Sequence, residues 1–241
     1  MIMKYSVSLQ AIRASVFLQV PQFSMELADS IHKIIPDVIP SVVGNQPQIV
    51  DDVLLPPGSW FMRSSSGKTK LLAFQNKIDF IVNAENVNAE SVEFWTSFCS
   101  QANDVFNFII RDKTASRLAV APVFFFQSSD ELWLDFIKKA NIYNSFKSGT
   151  FKDGSFSQTY CVEETIGDIP YLVNYISNFY RVSKFILSDK GESMVQSFKA
   201  IEFDINTIPE GNYQFRMPAV KDFFDKASDM SLEFLNYYFA K

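Results

Sequence analysis

Residues 62–70 read Met-Arg-Ser-Ser-Ser-Gly-Lys-Thr-Lys, and Gly67-Lys68-Thr69 has the form of the tail of a phosphate-binding loop. Such a loop wraps phosphate oxygens with backbone N–H groups. It needs a glycine five residues before the Gly-Lys pair and a helix directly after it. Met62 stands at the glycine position, and Arg63 to Ser66 contain no glycine. Lys70 to Gln75 continue as a β-like alternation rather than an amphipathic helix. The stretch therefore predicts a turn between two strands, with Gly67 supplying a positive φ.

The carboxylates offer the next chemistry. Glu202 and Asp204 alternate with Ile201, Phe203 and Ile205. Two carboxylates two residues apart on a strand share a face, where they could bind Mg²⁺ or divide acid and base roles. The same alternation is what a half-exposed strand shows, so a solvated acidic face is expected. Asp51-Asp52 precede a Pro-rich loop, and Glu163-Glu164 lie in a strand. A nuclease core of the Asp…(Asp/Glu)-x-Lys kind needs a lysine two residues after its second acid. Asp204, Asn206, Ser155, Thr165 and Met194 stand two residues after Glu202, Asp204, Asp153, Glu163 and Glu192.

His32 is the only histidine, too few for a histidine-based metal site, and it reads as a partly exposed helix residue. Cys99 falls in an apolar helical stripe and Cys161 in a strand, with no CxxC pair, so two free thiols are expected. GxSxG and GxGxxG are both absent. These observations lead to an expectation of no catalytic residue, no metal and no cofactor.

The positions of these residues depend on the elements that carry them. The chain has 241 residues, of which 47% are hydrophobic and 25 are Phe, enough for a large aromatic core. A net charge of −5 lacks the basic footprint of a general nucleic-acid binder, so nucleic acid is not indicated as a partner. No segment offers the roughly 20 apolar residues needed to span a bilayer, and the N-terminus has no signal-like apolar run. A cytoplasmic protein without a membrane partner is expected.

Residues 4–20 read as a strand with a bulge near Arg13, and Ser24 as the cap of a short helix stopped by Pro36. After a Pro-rich stretch with one strand at 48–55, a meander follows at 60–63, 70–74 and 77–82. Asn88 is read as the cap of a long helix whose stripe runs from Val92 through Trp95, Phe98, Cys99, Ala102 and Phe106 to Ile109. A strand at 117–126 opens the second half. A short helix capped by Ser128 and Glu131 follows, then an irregular stretch holding Gly149 and Gly154. Strands are read at 156–165, 171–183 and 198–205, and Pro218 opens a closing long helix.

This order predicts an α+β fold, with antiparallel meandering sheet packed by two long helices. Residues 1–113 and 114–241 form pseudo-duplicated β-α-β(3–4)-α halves of one compact domain in this reading. The saddle of the TATA-binding protein has the same order of elements, an analogy of order alone.

Three local features carry a family resemblance: Arg117-Leu118-Ala119-Val120 after the long helix, the strand Ile201-Glu202-Phe203-Asp204-Ile205, and the Phe-rich closing helix. With the element order, they make the chain resemble a sporadically distributed, uncharacterised bacterial family of similar length. Family members often carry a second Arg and a polar residue in the strand after the long helix, where Pro122 and Phe124 stand here. The resemblance implies no catalytic residues. Its scattered distribution is compatible with a mobile-element or phage-defence role.

The functional expectation is a non-enzymatic binding or assembly protein, a subunit of a bacterial complex or of a phage-defence module, with a protein partner or further copies of itself. Its interface residues would include Trp60, Trp133, Tyr237 and Tyr238, with Phe61 and Tyr143 as further anchors. Arg63, Lys68 and Lys70 form a basic hairpin tip that could meet an anionic partner. Two alternatives are carried: a carboxylate–metal phosphodiesterase or nuclease, and a small-ligand-binding α+β domain.

Overall fold

A computed structural model describes residues 7–50, 53–111, 113–126, 156–167, 169–187 and 193–239. In chain order the elements are β1 (Val7–Phe17), α1 (Met25–Ile34), β2 (Val38–Val42), β3 (Gln48–Val50), β4 (Val53–Leu55), β5 (Trp60–Ser64), β6 (Thr69–Phe74), β7 (Lys77–Asn88) and α2 (Val92–Ile110). They continue with β8 (Arg117–Phe126), β9 (Phe156–Ile166), β10 (Ile169–Leu187), β11 (Ser193–Thr207), α3 (Met217–Asp225) and α4 (Ala227–Phe239).

Among the described residues, nine strands form one antiparallel sheet in the order β2-β5-β6-β7-β1-β8-β11-β10-β9, and β3-β4 make a separate ribbon. β1 and β8 pair with each other at the middle, and β7 and β11 flank them. Strands β5 to β7 run outward in reverse on one side and β9 to β11 on the other, with β2 added outside β5. Both halves of the sequence thus share one sheet, and one hydrophobic cluster runs through both.

β1 alternates as expected, but its bulge lies at Gln10 and not near Arg13. The register shifts against both neighbours between Leu9 and Ala11, and Gln10 Nε2 donates to Ser8 Oγ and Asn86 Oδ1. The extra residue puts Leu9 and Ile12, three apart, on the same buried face. β8 is apolar on both faces, as suits a central strand. Pro122 sits within it and interrupts the ladder to β11, yet the register is the same on either side of the gap.

The helices pack on one face. α2 lays Trp95, Phe98, Ala102, Val105 and Phe106 onto the sheet, Phe80 stacks on Phe98 at 5.7 Å, and Phe106 meets Phe224 of α3 at 5.1 Å. Phe203 of β11 meets Phe234 of α4 at 4.4 Å. The bulk of the buried aromatic area lies in this layer. Among the described residues, no helix is long and apolar enough to cross a membrane.

Ser24 caps α1 as its sequence predicts, its Oγ accepting from Leu27 N at 3.1 Å. The cap of α2 is Ser91 rather than Asn88, because Asn88 spends its Oδ1 on the turn before the helix, accepting from Glu90 N. The closing helix is interrupted at Lys226, which turns its Nζ to Thr165 O and Asp222 Oδ2. Strand β2 was hidden by Pro40. The short helix read at 128–139 and the stretch with Gly149 and Gly154 lie outside the described residues.

Candidate functional site

The hairpin at 62–70 joins β5 to β6, and Arg63 faces Lys70 across the pair. Gly67 has φ +72° and its N–H donates to Ser64 O at 2.9 Å, while Ser64 Oγ accepts from Thr69 N at 3.0 Å. This is strand-to-strand turn chemistry, and no helix follows it. Lys68 Nζ lies 2.8 Å from Glu85 Oε2, so an acid of the extended strand β7 meets the basic tip. The sequence reading ended that strand at Val82 and missed the pairing.

Of the residues proposed as interface anchors, Trp60 is a correction. It is fully buried, donates its Nε1–H to Pro21 O at 2.9 Å and packs against Phe23. The alternating strand places it on the helix side, where its area serves the core. Trp133, Tyr143 and the Asp51-Asp52 pair lie outside the described residues. Tyr237 and Tyr238 are on α4, beside the sheet edge formed by β9.

Glu202 and Asp204 share the sheet face opposite the helices, as their spacing predicts. Arg13 Nη2 lies 3.9 Å from Glu202 Oε1, and Asp204 Oδ1 accepts from Asn206 Nδ2 at 3.0 Å. Burial pushes the Glu202 carboxyl above its usual value; Arg13 opposes the shift and Asp204 adds to it. The Tyr180 hydroxyl beside them is pushed up to about 12 by burial and by Glu202. On the same face Asp79 is buried, accepts from Ser15 Oγ at 2.6 Å and pairs with Lys77 at 2.8 Å. Each of these acids is held by a partner from the sheet. Among the described residues, no group of three or more His, Cys, Asp or Glu side chains converges as metal ligands. His32 is exposed on α1, and Cys99 and Cys161 are free thiols. Burial, with Asp225 and Asp229 nearby, pushes the Cys99 thiol up to about 12.

The other concentration of unusual residues is at the β9 edge. β9 has eleven residues, Phe-Ser-Gln-Thr-Tyr-Cys-Val-Glu-Glu-Thr-Ile, and among the described residues it pairs with β10 on one side only. Its even-numbered residues face the helix layer: Tyr160 lies opposite Tyr175, Val162 opposite Val173, and Glu164 opposite Tyr171. There they meet α4. The Tyr160 ring contacts Phe234 at 6.4 Å and Tyr237 at 5.9 Å, both edge-on, and Tyr175 meets Phe234 at 5.4 Å. Tyr238 is half-buried; its hydroxyl donates to Gln158 Oε1 at 2.9 Å, leaving Ser177 Oγ, 2.8 Å away, as the donor to it.

A groove of about 250 Å³ opens here, lined by Tyr160, Val162, Glu164, Tyr175, Glu233, Phe234 and Tyr237. Tyr237 is 64% exposed, Val162 42% and Tyr160 38%. The Tyr175 hydroxyl donates to Glu164 Oε1 at 2.6 Å. Its pKa is raised by burial first, then by that hydrogen bond and by the charges of Glu164 and Glu233. The groove is therefore apolar on its walls and negative at its rim.

The hairpin end of β9 is anchored to the helix layer. Gly167, at φ +56°, donates its N–H to Asp222 Oδ2 at 2.8 Å, and Lys226 Nζ bridges Asp222 and Thr165 O. Partial burial pushes the Asp222 carboxyl up, but the bonds from Lys226 and Gly167 outweigh it and its pKa falls below 3.8. Sequence reasoning singled out Tyr237 and Tyr238, of which Tyr237 lines the groove, and did not single out Tyr160, Val162, Glu164, Tyr175, Glu233 or Phe234. The available signal was the period-two run Tyr160-x-Val162-x-Glu164, which puts two apolar side chains and an acid on one face of a strand. Comparison with family models gives no match, and comparison with curated proteins gives none either.

Proposed function

We propose that this chain is a non-enzymatic binding or assembly protein whose contact surface is the β9 edge together with the exposed face of α4. The observation that carries this reading is the edge itself. An edge strand presents a row of unpaired backbone N–H and C=O groups, and proteins blunt such rows with short strands, proline or lysine. β9 is eleven residues long and contains neither proline nor lysine. Apolar and aromatic side chains flank it: Tyr160, Val162, Ile169, Leu172 and Tyr237 are all exposed. Aromatic anchors beside an open edge are what strand-addition recognition uses, with backbone bonds giving affinity and side-chain pockets giving selectivity. The setting proposed is a subunit of a bacterial complex or a phage-defence module; the scattered distribution of the family it resembles is compatible with the latter.

The test is co-purification from the native host with wild-type, Val162→Lys, Tyr237→Ala and Ile39→Lys chains. A partner retained by wild type and Ile39→Lys, and lost by the other two, is the expected result. A partner that stays bound to the Val162→Lys and Tyr237→Ala chains overturns the reading.

A further inference from the structure

We infer that the groove between β9 and α4 takes the side chain of a lysine or arginine, carried by an extended segment that adds to the β9 edge as a tenth strand. This rests on the binding-protein reading above and deepens it by naming the chemistry of the partner. Three features converge. Tyr160, Tyr237 and Phe234 place aromatic rings around the groove, and aromatic faces attract a cation. Glu164 and Glu233 line it with two carboxylates, and among the described residues neither is in an ion pair. The Tyr175 hydroxyl donates to Glu164 Oε1 at 2.6 Å, which holds that carboxylate at the groove.

The geometry suits a strand. A segment laid against β9 alternates its side chains, so every second residue falls on the helix side, where the groove opens. Charge decides against a second copy as the occupant. β9 carries no Lys or Arg, and Glu163 and Glu164 are its charged residues. Two β9 strands paired with each other would gather glutamates and bring no cation to the groove. A basic strand from another protein supplies the missing charge to a chain whose net charge is −5.

The experiment uses the full chain and a short fluorescein-labelled peptide of alternating threonine and valine with one central arginine. Its counterpart carries glutamine in place of the arginine. Fluorescence anisotropy gives affinity, and backbone amide shifts locate the peptide. The expected result is binding at β9 with a preference of about tenfold for the arginine peptide. That preference should fall severalfold in Glu233→Gln, whose exposed site leaves folding intact, and in Glu164→Gln, which can still accept from Tyr175. Equal affinity of the two peptides at β9 overturns the cation site while leaving the edge as a binding surface. Binding of neither peptide overturns the inference; if the co-purified partner also survives Tyr237→Ala, the underlying reading falls with it. A dimer in sedimentation that Val162→Lys dissolves overturns it in favour of self-pairing.

Discussion

The two edges of the sheet that the described residues form are built in opposite ways. β2 is five residues long, carries Pro40 in its middle and tucks Val38 into the core. β9 is eleven residues long, has no proline, and exposes Ser157, Thr159, Tyr160, Cys161, Val162 and Glu163 in succession, except for the half-buried Gln158 near its start. Both edges expose apolar side chains, since Ile39 on β2 is 63% exposed. What differs is the backbone: β2 is short and interrupted, β9 is long and regular. An edge blunted in this manner does not invite pairing, whereas one left open and bordered by tyrosines does. The difference argues for β9 as the contact surface better than any single residue.

The largest effects should appear under the two edges rather than on them. Trp60→Ala on β5, the strand beside β2, and Phe234→Ala beneath β9 each empty a buried aromatic site. Each should cost about 3–5 kcal/mol in urea unfolding. Equal losses would show that both edges rest on equally firm core, so that their difference lies in the exposed layer. A negligible loss for Phe234→Ala would mean that α4 is not the wall of the groove.

Next come the surface changes. Val162→Lys and Tyr237→Ala should each weaken partner binding by about tenfold or more, with stability altered by no more than about 0.5 kcal/mol. Ile39→Lys on β2 should change neither quantity. If Ile39→Lys weakens binding as much as Val162→Lys does, the comparison of edges is wrong.

A smaller effect should come from the Asp222 anchor at the hairpin end of β9. Its carboxyl pKa is depressed in the folded chain, so its contribution is present above the unfolded value of 3.8 and is lost as pH falls through the folded value. Thermal melting of wild type and Asp222→Asn should differ at pH 6, and the gap should narrow as pH falls below 3.8. A gap that does not narrow on acidification below 3.8 would assign the anchor's contribution to something other than this charge.

Smallest of all is the basic hairpin tip. Lys68→Glu with Lys70→Glu sets a glutamate beside Glu85 at an exposed site, worth about 0.2–1 kcal/mol. Partner binding should be unchanged. A lost partner would return the hairpin to the interface.

Much of this fold is legible in the sequence because period and burial agree. β8 reads as a continuous apolar run and proves central; α2 shows its stripe and buries it. The β5–β6 turn was legible in Gly67 and the serines before it. β2 was not, because Pro40 and its exposed neighbours give no alternation that a short edge strand requires. The caps show a similar limit: Asn88 and Ser91 are both good capping types, and which one caps α2 depends on where the chain leaves β7. The groove was the least legible part. Tyr237 and Tyr238 stood out by type, but Tyr160, Val162 and Glu164 join them through a pairing with β10 and a crossing of α4 that no local pattern encodes. Trp60 failed as an anchor for the same reason, since type alone does not tell which side of a strand meets the helices.

The two thiols offer the most direct test of the β9 edge. Cys161 is exposed on β9, and Cys99 is buried with its thiol pushed up to about 12, so near neutral pH Cys161 should react first. The measurement is the rate of Cys161 alkylation by a maleimide, with and without the co-purified partner bound. Strong slowing in the complex is expected if the β9 edge is the contact surface, with loss of partner binding once Cys161 carries a bulky maleimide. An unchanged alkylation rate in the complex, with the labelled chain still binding its partner, would contradict it.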